Sequence, residues 1–116
     1  MTEGEVILTS IPQADGVAKT RPAILLRELP PYRDFLVCGV SAQLQQRVPD
    51  FDEIISTDDP DFSRSGLLRE SLIRLGFLAV LPRNSIIGAI GSISAERHQR
   101  LLTTLAHHLI RDFQQQ

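Results

Sequence analysis

Short apolar runs separated by turn residues fill the first ninety positions of the chain. Each run is too short for a typical helix, and Gly, Pro, Asp or Asn bounds most of them, as expected for strands. The runs are Val6–Leu8, Ala23–Leu26, Phe35–Cys38, Ser71–Arg74, Phe77–Leu81 and Ile86–Ile90. The helix–strand alternation that marks a doubly wound fold is missing. The pattern therefore predicts a mainly β protein whose strands form a small barrel or a strongly bent sheet.

The C-terminal residues change to a helical period. After Ser94, apolar residues recur at i, i+1, i+4 and i+5, which is typical of an amphipathic helix. They are Leu101, Leu102, Leu105, Ala106, Leu109, Ile110 and Phe113. Ser94 suits the N-cap, while Glu96 and Arg111 suit the two ends of the helix dipole. We expect a helix of about five turns that covers an open side of the sheet.

Length and composition indicate one small folded domain, residues 1–116. The 42% hydrophobic fraction is ordinary for a globular protein. No apolar run reaches the ~18 residues of a membrane span, and the acidic start at Met1–Glu5 is unlike a signal peptide. A single cysteine excludes an intramolecular disulfide. We expect a cytoplasmic protein with no membrane partner.

The charges are unevenly distributed around a net charge of −2. That net charge argues against a broad nucleic-acid surface. Eleven of the twelve cations are arginine, however, and an arginine fork suits bidentate contact with phosphate or carboxylate. Six acids lie between Asp50 and Asp61. We interpret this acidic stretch as a solvated loop; the alternative is that it repels nucleic acid from one face and steers it to another.

Residues that often carry metal or nucleophilic chemistry do not form a site here. His98, His107 and His108 fall on the predicted helix, but no pair has the i, i+4 spacing that places two ligands on one face. We expect solvated or capping histidines, no metal site and no other cofactor. Cys38 lies within an apolar run and is interpreted as an inert buried thiol. Gly88–Gly91 lacks the Lys-Ser/Thr pair of a phosphate-binding loop.

One polar loop and the strand after it hold the remaining candidate chemistry. The loop Asp15–Pro22 carries Lys19 and Arg21, and Pro22 fixes the backbone just before an apolar run. Arg21 should therefore project from a strand entrance. Ser41 places a hydroxyl at the end of the next apolar run. Taken alone, an arginine and a serine at strand ends are common and specify no reaction.

Five motifs in order resemble the MazF/PemK toxin family over nearly the whole chain. They are a Gly-acid-hydrophobic strand, a Lys-x-Arg-Pro element, a Thr/Ser-x-Gln strand end, a Gly-Leu-x-x-x-Ser-hydrophobic-hydrophobic-Arg signature, and a Gly-x-hydrophobic-Ser step into the last helix. In this sequence they are Gly4–Leu8, Lys19–Pro22, Ser41–Gln43, Gly66–Arg74 and Gly91–Ser94. None is specific alone. Their order and spacing in a chain of this length carry the resemblance.

The resemblance implies an SH3-like barrel with a C-terminal helix, and a homodimer. It implies a toxin of a type II toxin–antitoxin system that cleaves single-stranded RNA at specific sequences without a metal. The ribose 2′-OH would be the nucleophile, and the products would carry a 2′,3′-cyclic phosphate and a 5′-OH. It further implies an antitoxin whose acidic, disordered segment occupies the RNA groove.

The resemblance also assigns roles by position. Arg21 matches the family's catalytic arginine, Ser41 its catalytic threonine, and Arg74 an arginine that some members use at the scissile phosphate. The other motif positions are implied to bind RNA; they are Lys19, Thr20, Gln43 and Ser71.

Two departures from the family pattern leave alternatives open. Gly76 stands where an acidic residue often follows the Arg74 position, and Ala79–Pro82 replaces a common Arg-Thr-hydrophobic-Asp stretch. One alternative is a catalytically inactive relative, or a toxin that binds a protein target, as the gyrase poisons of this fold do. Another is an SH3-like adaptor for peptides, although such grooves are lined with aromatic residues and this chain has only five Phe and one Tyr.

Overall fold

The computed structural model describes residues 1–12 and 16–115, with side chains described for 1–10 and 16–111. Asp15, at the start of the predicted polar loop, lies outside the described residues. Strands alternate with short turns before a long C-terminal helix. The elements are β1 (Glu5–Pro12), β2 (Ala18–Leu29), β3 (Asp34–Ser41), a 3₁₀ turn (Leu44–Gln46), β4 (Glu53–Ile55), α1 (Phe62–Ser65), β5 (Ser71–Leu81), a 3₁₀ turn (Arg83–Ser85), β6 (Ile86–Ser92) and α2 (Ala95–Gln115).

The described strands form one antiparallel sheet in the order β4-β5-β3-β2-β1-β6. The predicted mainly β fold with a C-terminal helix is therefore confirmed. Two details differ: β4 lies in the acidic stretch that the sequence pattern predicts as a loop, and the two apolar runs Ser71–Arg74 and Phe77–Leu81 belong to a single strand, β5. The register against β3 jumps between them: Arg74 pairs with Gly39, and Leu78 pairs with the adjacent Cys38. Three residues of β5 are thus bulged out of the ladder.

Continuous apolar runs in the central strands reflect burial on both faces of the sheet. In β2, Ala23 and Leu25 belong to one core cluster, with Phe35 and Val37 of β3. Ile24 and Leu26 of β2 belong to a second cluster on the other face, and this cluster includes residues of α2. A strand that buries both faces needs no polar alternation. This is why a run such as Ala23–Leu26 reads as uniformly apolar.

Helix α2 begins where the sequence predicts. The Ser94 hydroxyl accepts a hydrogen bond from the Arg97 N–H at 3.1 Å, which is N-cap geometry. Leu101 and Leu105 are buried against the sheet, as expected. Leu102 also packs against the core. The end of the predicted apolar face differs: Leu109 and Ile110 are 63% and 44% exposed, so the second half of the helix presents apolar side chains to solvent. The side chain of Phe113, also assigned to this face, lies outside the described side chains.

Of two single residues, one differs from its sequence-based interpretation and one matches it. His98 is neither solvated nor a helix cap, because its Nε2–H donates to the Leu26 carbonyl of strand β2 at 2.8 Å. Cys38 is fully buried, and burial raises the pKa of its thiol to about 12. The neutral thiol is a poor nucleophile at physiological pH. None of the described helices is both long and apolar enough to span a membrane.

The interpretation of Asp50–Asp61 as a solvated loop is wrong for much of the stretch. Arg97 of α2 is only 7% exposed and reaches three of its acids, each at 2.9 Å. The partners are Glu53, Asp59 and Asp61, and Asp61 is itself 3% exposed. Asp61 also accepts the N–H of the N-cap residue Ser94. The acidic stretch therefore fastens the start of α2 to the body of the fold.

Acid is expected to weaken this attachment. Burial by itself raises the pKa of Asp61, but hydrogen bonds from Arg97 and Ser94 and the charge of Arg97 outweigh it, and the pKa falls to about 2. Because the unfolded carboxyl titrates near ~3.9, the stabilisation is complete above about pH 5 and is lost as the pH falls through 2. We expect the stability difference between the wild type and Asp61→Asn to shrink by roughly 2 kcal/mol between pH 5 and pH 2. Urea unfolding at stepped pH measures this; a constant difference would contradict it.

Candidate active site

Three neighbouring strands bring Arg21, Ser41 and Arg74 to one cavity. Gly39 of β3 pairs with Ala23 of β2 on one side and with Arg74 of β5 on the other. Arg21 lies two residues before Ala23, and Ser41 lies two residues after Gly39. Because the two strands are antiparallel, these steps lead in the same direction and keep Arg21 and Ser41 together. The cavity has a volume of about 320 Å³. The described residues lining it are Arg21, Gly39, Val40, Ser41, Gln43, Gln46, Arg74 and Phe77.

Arg21 lies inside a strand rather than at its entrance. Strand β2 begins at Ala18, so that Arg21 is already paired with Thr9 of β1. The predicted polar loop is therefore shorter at its C-terminal end than the sequence suggests. Half-buried Arg21 projects from a fixed main chain, which holds its guanidinium in place more firmly than a loop would.

The bulge in β5 places an aromatic ring at the wall of the cavity. Phe77 lies at the end of the bulge, and its ring packs over Gly39: a Cβ at position 39 would lie 3.4 Å from the ring. A larger residue at 39 would therefore displace the ring. On the cavity side, the guanidinium carbon of Arg74 lies 5.3 Å from the ring centroid, which is cation–π geometry.

The hydroxyl of Ser41 is oriented by the chain that follows it. Its Oγ accepts the Gln43 N–H at 3.0 Å. Because the oxygen is used as an acceptor there, the hydroxyl hydrogen can be donated to a ligand in the cavity. The side-chain oxygen of Gln43 accepts a hydrogen bond from Gln45 at 2.7 Å, and this bond orients the carboxamide.

A second cavity of about 290 Å³ adjoins the first and shares Arg21, Val40 and Ser41 with it. Its other walls are mostly apolar. They are formed by Leu8, Pro22, Ala42, Gly66, Leu67, Leu68, Arg69, Ser71 and Ile90. The shared residues thus form a ridge between a polar and aromatic cavity on one side and a mainly apolar cavity on the other.

Gly66, which opens one of the family motifs, is required by the local backbone. It has φ of +76° at the C-terminal end of α1, a conformation that favours glycine. A Cβ at this position would lie 2.2 Å from the carbonyl oxygen of Ile90. Only glycine lets the loop after α1 approach β6 closely enough to close this wall of the second cavity.

The positions implied to bind RNA divide into two groups. Gln43 lines the first cavity and Ser71 the second. Ser71 is 4% exposed, and its hydroxyl donates to the Arg69 carbonyl at 2.8 Å, so its hydrogen is committed to the main chain. Lys19 and Thr20 are exposed on β2 and line neither cavity. The role of all four in binding RNA stays a prediction.

The lining of the first cavity suits an anion. Its described side chains include two guanidinium groups and one hydroxyl, but no carboxylate. Fixed donors of this kind can hold a phosphate group and stabilise added negative charge on it. Across residues 1–12 and 16–115, no group of three His, Cys, Asp or Glu side chains is arranged to hold a metal ion.

Gly76 lies next to the cavity but does not line it. It is exposed, and a Cβ there would contact only the Phe51 ring, at 3.4 Å. Phe51 lines a different cavity, together with His107 and His108 of α2. The Cα–Cβ bond of a side chain at position 76 would thus point towards Phe51.

Sequence reasoning missed two residues of the site, Phe77 and Gln46. Phe77 reads as the first residue of an apolar strand, and nothing in the sequence marks the bulge that exposes it. Gln46 reaches the cavity from the 3₁₀ turn after β3. A short polar turn after Ser41 was the one available signal, and it resembles any surface loop.

No protein-family model and no curated protein matches this sequence. Among solved structures, the chain is similar to the Mycobacterium tuberculosis toxin MazF-mt6, with a TM-score of 0.64. The likeness covers 89% of this chain and 93% of that one, at 18% sequence identity. At this identity the similarity establishes the fold, and the chain has the MazF-like fold that its motifs predict.

Proposed function

We propose that this chain is the toxin of a type II toxin–antitoxin pair and that it cleaves single-stranded RNA in the cytoplasm without a metal ion. One observation carries the proposal: Arg21, Ser41 and Arg74 come from three separate strands and line one cavity. The motif resemblance points to the same three positions. The MazF-like fold supports the same assignment.

The chemistry needs little more than this arrangement. The ribose 2′-OH attacks the adjacent phosphorus and its proton passes to solvent, while the bond from phosphorus to the 5′-oxygen breaks and that oxygen takes a proton from solvent. A 2′,3′-cyclic phosphate and a 5′-OH result. Negative charge builds up on the phosphoryl oxygens in the transition state, where fixed cationic donors are most effective. Arg21 and Arg74 would supply this stabilisation from either side.

Ser41 is proposed to hold the phosphate or the 2′-OH through its hydroxyl hydrogen. Replacing Ser41 with alanine is expected to lower kcat/KM for RNA about 10- to 100-fold, because one oriented donor is lost. Threonine at this position keeps the hydroxyl and should keep activity within about threefold. Initial rates on a fluorogenic RNA measure the effect.

The alanine variant also loses the acceptor for the Gln43 N–H. Its melting temperature must therefore be measured alongside the rate. A wild-type rate in a folded Ser41→Ala variant would remove Ser41 from the site.

The proposed partners are a second copy of the chain and an antitoxin with an acidic segment. Exposed apolar side chains on β5, β6 and α2, including Val80, Ile87 and Leu109, offer surface for a second copy. The cationic cavity is a suitable place for an acidic segment. Sedimentation that shows only monomer at micromolar concentration would contradict the homodimer.

A second candidate is a toxin that binds a protein target, or an inactive relative, on the same fold. The observation in its favour is that no described side chain lining the cavity accepts a proton at neutral pH, and that Gly76 stands where the family often has an acid. General-base catalysis contributes typically 10²–10⁴-fold, so an enzyme without it is slow.

Incubation with RNA separates the two candidates. Purified protein is mixed with long RNA of mixed sequence in EDTA, beside single-stranded DNA of the same sequence. Discrete RNA fragments with intact DNA are the result expected of the nuclease. RNA that stays intact with stoichiometric protein would refute it and favour the protein-binding toxin.

A further inference from the structure

The aromatic ring of Phe77 has no role in the proposed chemistry, yet it forms a wall of the reaction cavity. The side chain is 42% exposed. It shares the cavity with Arg21, Ser41 and Arg74. Aromatic rings beside a phosphate site are the groups on which single-stranded bases stack.

The ring is held in this position by the structure of the bulge. Its inner side rests on Gly39, where a Cβ would lie 3.4 Å from the ring, in van der Waals contact. The bulge itself is anchored by Asp52, which is 7% exposed and accepts the Leu75 N–H at 3.0 Å. The second oxygen of Asp52 accepts the Val48 N–H at 3.0 Å. A buried carboxylate thus fixes the backbone that presents the ring.

We propose that Phe77 is the stacking platform for a nucleobase next to the scissile phosphate, an inference that rests on the proposed ribonuclease function. In the free protein the ring is covered by the guanidinium of Arg74, at 5.3 Å. When RNA binds, Arg74 turns onto the phosphate and the base takes its place on the ring. A base–aromatic stack is stronger than an exposed cation–π contact, and Arg74 gains a charged partner, so the exchange favours the bound state.

The exchange also assigns roles to the two glutamines of the cavity. Stacking accepts any base, whereas selection among bases requires hydrogen bonds to the base edges. Gln43 and Gln46 line the same cavity and carry both donors and acceptors. They would act as the edge readers for the base that stacks on Phe77.

The test uses binding as well as cleavage. An RNA that spans an established cleavage position is made non-cleavable by a 2′-deoxy nucleotide at that position. The fluorescent base 2-aminopurine, which is quenched by stacking, is placed on one side of it and then on the other. Wild type is compared with Phe77→Leu and Phe77→Tyr. Tyr32→Leu, the same kind of change at an exposed aromatic residue that lines neither cavity, is the matched control.

We expect quenching at one of the two positions with wild type, Phe77→Tyr and Tyr32→Leu, and none with Phe77→Leu. The leucine variant should bind roughly 10- to 100-fold more weakly. Removing the base at that position should weaken binding to wild type by a similar factor, and binding to Phe77→Leu by less than about threefold. A direct contact between the ring and the base requires that removing either one weakens binding by a similar factor, and that removing the second adds little.

Three results would overturn the inference, and they are distinguishable from one another. If wild type cleaves RNA, but Phe77→Leu binds it as tightly and quenches 2-aminopurine as strongly as wild type does, Phe77 is not the platform. The proposed ribonuclease function is then unaffected. If Phe77→Leu changes the sedimentation of the protein, the ring belongs to an interface between copies. If wild type neither cleaves nor binds RNA, the proposed function and the inference both fall.

Discussion

Replacing Arg21 with alanine is expected to lower kcat/KM for RNA cleavage about 10³-fold or more, with little change in stability. The guanidinium is one of the two cations that line the cavity, and its interactions strengthen as charge develops on the phosphoryl oxygens. Removing an arginine from a phosphoryl-transfer site costs on the order of 10³–10⁵ in rate. Lysine keeps the charge but loses the fork, so Arg21→Lys should recover only part of the activity. Single-turnover rates with saturating protein measure the effect on the chemical step.

Arg27 provides the matched control for this experiment. It lies on the same strand, is 57% exposed on its side chain, and pairs with Glu3 on the surface. Arg27→Ala changes the net charge by the same amount as Arg21→Ala. Its kcat/KM for RNA cleavage should stay within about twofold of wild type. If both variants lose activity equally, the effect of Arg21 reflects overall charge and not its place in the cavity.

Replacing Arg97 with alanine is expected to lower the free energy of unfolding by about 3–5 kcal/mol. This would correspond to a decrease of roughly 10–20 °C in melting temperature for a chain of this size. The change leaves Asp61 buried at 3% exposure without its cation, and it also removes one cation from Glu53 and from Asp59. Breaking a buried ion pair on one side is costly because the remaining charge keeps its desolvation penalty. Calorimetry at pH 7 gives the value.

Arg100 is the control for the stability experiment. It bonds the same acid, Glu53, at 3.0 Å, but its side chain is 56% exposed. An exposed pair contributes about 0–1 kcal/mol, so Arg100→Ala should be close to wild type. Equal effects of the two substitutions would mean that burial of the Arg97 cluster does not matter. Cleavage by folded Arg97→Ala should be unchanged, since Arg97 lines neither of the two cavities that meet at Arg21 and Ser41.

Local signals in the sequence are sufficient for the strands other than β4 and for the start of the helix. The run Ala23–Leu26 marks a strand because both of its faces are buried. Ser94 marks a helix start because its capping bond spans only three residues. Arg21, Ser41 and Arg74 were selected by family motifs, and the strand register then brings them to one cavity.

The remaining features depend on contacts that are distant in sequence. Arg97 binds acids 36 to 44 residues earlier, and nothing in the Asp50–Asp61 stretch shows where the helix will lie. Phe77 is exposed because three residues of β5 bulge out opposite the Cys38–Gly39 step. A bulge shifts the inward and outward alternation of a strand, and an apolar run carries no sign of that shift.

The chemistry of the RNA ends produced by the protein tests the central claim most directly. Fragments made in EDTA by wild type are analysed by mass spectrometry, with the same reaction by Arg21→Ala as the blank. The account predicts 2′,3′-cyclic phosphate and 5′-OH ends that are absent from the Arg21→Ala reaction. Fragments with 5′-phosphate and 3′-OH ends, or fragments that persist with Arg21→Ala, would contradict a reaction in which the 2′-OH attacks a phosphate held by this arginine.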